Sequence, residues 1–121
     1  MLIRRLAITA ALAFAAPASA HHSFAMFDMQ KTVTISGTIA EFKWTNPHAW
    51  MHVDIAGSDG KVATWAIEMT SPNNLVHGGW RRSSLKPGDK VSVDIHPLRN
   101  GKNGGSLVQV TLPDGTKLKN A

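Results

Sequence analysis

Alternation of apolar and polar positions is the dominant signal along this chain. Residues 31–44 (KTVTISGTIAEFKW) set β-branched or apolar side chains against polar ones with a period of two, the pattern of a half-buried strand. Its inward set reads Val33, Ile35 and Ile39, then changes parity to Phe42 and Trp44, which predicts a β-bulge and a bend after Gly37. Thr45-Asn46-Pro47 makes a turn, because the residue before a proline avoids the helical region. Residues 48–56 (HAWMHVDIA) and 61–69 (KVATWAIEM) follow as a hairpin around the loop Ser58-Asp59-Gly60, with Gly60 left-handed. Pairing Val53 with Trp65 and Met51 with Ile67 keeps one face apolar, whereas a slip of one residue would mix the faces. The opposite, solvated face then carries His48, Trp50, His52 and Asp54 beside Thr64, Ala66 and Glu68.

Beyond the hairpin, Ser71 is an N-cap, Pro72 suits the first helical position, and Gly78-Gly79 stop a short helix. The turn Ser84 to Asp89 launches a fourth strand, residues 90–96. A glycine-rich loop, Asn100 to Gly105, precedes a fifth strand, residues 106–112, and then come the Pro113-Asp114-Gly115 turn and a polar tail. The expected fold is all-β: a small five-stranded OB-like barrel, or a sandwich of the same strands, with one short helix between strands 3 and 4. Side chains fill a barrel this small, so a ligand would sit on its outer face or at its loops.

The N-terminus changes the picture of where this barrel works. Arg4 and Arg5, the apolar run Leu6 to Ala16 and the ending Pro17-Ala18-Ser19-Ala20 are the three parts of a secretory signal peptide in order. Residues 1–20 are therefore expected to be cleaved, leaving an N-terminal arm at 21–30 and one β domain at 31–121 in a periplasmic or secreted protein. No stretch approaches the ~20 apolar residues of a transmembrane helix. With no cysteine in the chain, packing alone must hold the domain. Thirteen basic residues, less Arg4 and Arg5, against eight acidic ones leave a mature charge of +3, too mild and dispersed for a nucleic-acid partner.

Cleavage after Ala20 would free the α-amine of His21. That amine and the ring nitrogen of the same residue can chelate one ion, and His22 or His48 can supply a further nitrogen, the donor set of a histidine brace. Imidazole suits copper, which heads the divalent affinity series, so copper is the expected cofactor if there is one. His48 and His52 share a strand face, yet four residues separate them by roughly 13 Å, too far for one ion. Met51 and Met69 fall on the apolar face and are expected in the core, which leaves Met26 and Met29 of the arm as thioethers open to Cu(I). Trp44 and Trp65 are expected in the core. Trp50, with His52 and Glu68 beside it, offers a stacking surface for a small envelope ligand or a partner protein. No cysteine nucleophile, Gly-x-Ser-x-Gly or phosphate loop is present, so binding is expected over catalysis.

The combination His21-His22-Ser23-Phe24, Trp44-Thr45-Asn46-Pro47-His48, Trp65, Glu68, Ser71-Pro72-Asn73, Gly79-Trp80 and Leu85-Lys86-Pro87-Gly88-Asp89 resembles a family of short exported bacterial proteins of unknown function. The resemblance implies export and an all-β domain and transfers no catalytic residue. N-terminal sequencing of exported protein is expected to begin at His21; any other start removes the chelating amine.

Overall fold

A computed structural model describes residues 24–121. Six strands, β1 (Val33–Lys43), β2 (Trp50–Ala56), β3 (Val62–Glu68), β4 (Lys90–Pro97), β5 (Gly104–Thr111) and β6 (Lys117–Lys119), form one sheet, with the helix α1 (Pro72–His77) between β3 and β4. The order is β3-β2-β1-β4-β5-β6, and a parallel pairing of β3 with β5 closes the first five strands into a barrel. That closure selects the barrel over the sandwich. β1 is the bent strand shared by both halves: residues 33–38 pair with β4 and residues 38–43 with β2.

The bulge in β1 lies after Ile39, not directly after Gly37, since Ile39 pairs with Val53 and the next pair is Glu41 with His52. The reason is visible in the hydrogen bonds. Ile39 gives its N–H to Asp89 O and takes the Gly88 N–H on its carbonyl, both at 2.8 Å, so the turn before β4 docks where the ladder is interrupted. Gly37 has another role, because a Cβ there would strike the carbonyl of Asp54. Ile35 and Ile39 enter the core as expected. Val33, expected inward, is 39% exposed, since the core ends at Ile35 and leaves the first residue of the strand at the rim.

The β2–β3 hairpin has the expected register, Val53 opposite Trp65 and Met51 opposite Ile67, with Gly60 at φ +77°. Met51, Val53 and Ile67 are fully buried, and Met69 joins them in the core. Trp44 and Trp65 pack against that core from its margin. The tryptophan at its centre is Trp80, 1% exposed, whose indole N–H donates to the Lys119 carbonyl at 2.8 Å. Ser71 caps α1 by accepting the Asn74 N–H, and Leu75 is the helix's buried anchor.

Two segments read as irregular are structural. Gly104 and Gly105, expected in a loop, open β5 and form the seam opposite Ala66 and Ile67. A Cβ on Gly104 would stand 2.8 Å from the Ala66 carbonyl, and one on Gly105 would strike the His96 carbonyl, so glycine is what lets three backbones converge. The polar tail carries β6, where Leu118 packs on the core and Asn120 Oδ1 accepts the Thr70 N–H at 2.8 Å. The arm is also fixed from Ala25 onward: Asp28 donates to Pro97 O, Arg99 donates to Met26 O, and Phe27 is buried in a bridge to Leu98. Asp94 ties β1 to β5 by accepting from Thr34 and Gln109, and those bonds, Thr34 first, hold its carboxyl below the ordinary carboxylate range.

Gly105→Ala is expected to destabilise the fold by about 1–3 kcal/mol in chemical denaturation, the range for a forced clash in a packed region. His52→Ala should stay within about 0.5 kcal/mol. A Gly105→Ala protein as stable as the parent would mean that close approach at the seam is not required.

Candidate functional site

Closure of the barrel creates the most unusual polar environment in the molecule. Glu68, the last residue of β3, pairs across the seam with Ser106 and, on its other side, with Trp50 of β2. Its side chain keeps only 8% of its exposure, against the solvated position expected from alternation, because β5 and the C-terminal tail cover it. A buried carboxylate needs a partner. It has one in His48, which lies two residues before Trp50, on the same strand face, and whose Nδ1 stands 2.7 Å from Glu68 Oε1. The other oxygen, Oε2, is buried with no hydrogen-bond partner among the described residues.

This geometry sets the state of the imidazole. An ionised carboxylate only accepts hydrogen bonds, so Nδ1 carries the proton, and in the neutral ring Nε2 is left with its lone pair. A carboxylate behind the far nitrogen of a histidine is the usual support for a metal-ligating imidazole. The ring is 40% exposed and lines a cavity of about 220 Å³ together with Glu68, Thr70, Ser106, Asn120 and Phe27. Thr45, whose hydroxyl donates to the His48 carbonyl at 3.2 Å, steadies the loop that presents it.

The other candidates separate from this cluster. His52 sits half-buried on the outer face of β2, with Nδ1 3.3 Å from Glu41 Oε2, so it and His48, which lies in the loop before β2 and not in the strand expected from residue 48, lean on different carboxylates. Trp50 is half-buried between its cross-strand neighbours Lys43 and Glu68. Of the expected surface trio, Trp50 and His52 stay on the outer face, while Glu68 belongs to the His48 cavity. His96 holds the Lys31 carbonyl at 2.8 Å, and His77 ends α1. Met26 and Met29 are each 43% exposed. His21 and His22 lie outside the described residues, as does the expected signal peptide at 1–20. Among the described residues no three histidine or acidic side chains converge as a metal site. Sequence reasoning missed Phe27, Thr70, Ser106 and Asn120, which reach the cavity through the seam, the arm and the tail and carry no periodic signal.

Removing His48 strands the buried carboxylate. His48→Ala is expected to cost about 1–3 kcal/mol of stability. In the double variant His48→Ala/Glu68→Leu part of that loss should return, because no buried charge is left unpaired. Strict additivity in this double-mutant cycle, measured by denaturant unfolding, would show that the pair is uncoupled.

Residues 10–108 match a family of unknown function, DUF6152. No curated protein matches the chain. The family match covers most of the sequence, including the loop that carries His48, the strand that carries Glu68 and both glycines of the seam, and the chain belongs to this family.

Proposed function

We propose that this protein is an exported copper-binding protein that holds the ion between the amine and imidazole of His21 and the Nε2 atom of His48, with His22 as an alternative nitrogen donor. The observation that carries the reading is the cavity itself. His48, already oriented by Glu68, and Phe27 of the arm line the same space. His21 is six residues before Phe27, and with Phe24–Met26 wound in a 3-10 turn the span between them is at most about 16 Å, enough to return over a cavity of about 220 Å³. Nitrogen donors favour copper among the divalent ions. The role is binding, transport or sensing in the periplasm or outside the cell.

A competing reading, a metal-free module holding an envelope ligand or a partner protein, draws on the half-exposed Trp50 flanked by Lys43 and Glu68. One titration with copper(II) separates the two. An extra residue before His21 leaves every side chain in place but removes the chelate, and affinity is expected to fall by about tenfold or more, equivalent to at least about 1.4 kcal/mol. His48→Ala should weaken binding less, and Trp50→Ala hardly at all. Equal copper affinity for the native and extended termini contradicts the brace. A Trp50→Ala variant that loses an envelope ligand by about 1–3 kcal/mol would favour the competing reading.

A further inference from the structure

None of the three arginines among the described residues meets a carboxylate; Arg99 donates its Nε–H to the Ala25 carbonyl at 3.1 Å, which leaves Arg81 and Arg82. All eight acidic residues of the sequence lie within residues 24–121. Each is taken up by a lysine or histidine in an ion pair, or by a threonine hydroxyl or a backbone N–H in a hydrogen bond. Among the described residues none pairs with an arginine. Arg81 and Arg82, adjacent and exposed, border an open groove of about 470 Å³ whose remaining walls are Trp44, Val76, Gly79 and Trp80. Val76 is 54% exposed there, an apolar side chain left uncovered on an otherwise polar helix surface.

The groove is held in shape before any ligand arrives. Arg81 N–H donates to Ser84 Oγ at 2.8 Å and Ser84 N–H to the Arg81 carbonyl at 2.9 Å, which closes the loop on itself. Trp80 is anchored by its backbone N–H to Leu75 O and by its indole N–H to Lys119 O. Phe42 braces both indoles, with ring centroids 5.7 Å from Trp44 and 5.9 Å from Trp80. Gly79, at φ +94° and with open space where a Cβ would project, keeps the groove clear between the helix and the arginines.

We propose that this groove binds an aromatic carboxylate, its ring against Trp44 and Val76 and its carboxylate on the guanidinium of Arg81 or Arg82. Charge excludes a cation. The apolar walls would be idle around a small inorganic anion, and the Trp80 indole N–H, already spent on Lys119, leaves the guanidiniums as the polar anchor. A guanidinium fork matches a carboxylate with two parallel bonds, and its flat face tolerates an aromatic neighbour. The groove shares no lining residue with the His48 cavity, so this site stands independently of copper.

The test is a titration of the protein with 2-naphthoate, followed by the indole N–H resonances of its tryptophans. Saturable shifts of Trp44 and Trp80, with Trp50 unmoved, are expected. Arg81→Gln/Arg82→Gln, two exposed changes whose folding is checked by thermal melting, should weaken binding by about tenfold or more, the loss of one charge-assisted contact. The neutral 2-naphthylmethanol should bind far more weakly than the acid, and inorganic phosphate should not displace it at equal concentration. The proposal is overturned by an absence of saturable shifts, by equal binding of the alcohol, by displacement with phosphate, or by undiminished affinity in the double arginine variant.

Discussion

The parallel seam between β3 and β5 is the constraint on which the rest of this protein depends. Without it β3 and the first residues of β5, Gly104 to Ser106, would be free edges, open to pairing with other chains. Closing them brings the β5 backbone against Ala66 on one side and His96 on the other, a convergence that the absent side chains of Gly104 and Gly105 make possible. The same seam sets Ser106 opposite Glu68 and removes the carboxylate from solvent. His48 then satisfies one oxygen through Nδ1, which orients the ring. The candidate site is in this sense a consequence of barrel closure: the fold buries a carboxylate, and the carboxylate orients an imidazole.

The arm and the tail complete the arrangement from opposite ends of the chain. Phe27 is pinned beside Leu98 and Asn120 beside Thr70, so segments far apart in sequence wall one cavity. On another part of the surface, the loop after α1 gathers Trp44, Trp80 and two unpaired arginines into a second concavity. The barrel itself is solid. Ile39, Val53, Ile67, Val93 and Ile95 fill it, as expected for five strands, and both concavities are outside.

What could be read from the sequence was local. The hairpin register followed from alternation and Gly60, the helix from Ser71, Pro72 and Gly78, and the barrel class from the order of strands around that helix. The bulge in β1 was legible as a change of parity, but its position depends on the turn at Gly88 and Asp89 docking on Ile39, a contact fifty residues away in the chain. Gly104 and Gly105 carry a loop signature in any local reading, and only the seam explains them as strand. Trp80 and Leu118 give no period because each is a single apolar residue in a polar segment. His48 and Glu68 were both visible as candidates on one face. The burial of Glu68 was not, since alternation assigns a face without saying what covers it.

The proposed copper site, where His48 supported by Glu68 meets the N-terminal arm, is tested most directly by the paramagnetic effect of substoichiometric copper(II) on the amide spectrum of protein beginning at His21. Selective broadening of signals around His48, Phe27 and Thr70 is expected, with those of His77, His96 and Arg81 left sharp. Broadening centred on His77 or His96, or spread evenly over the surface, would contradict copper binding at His48.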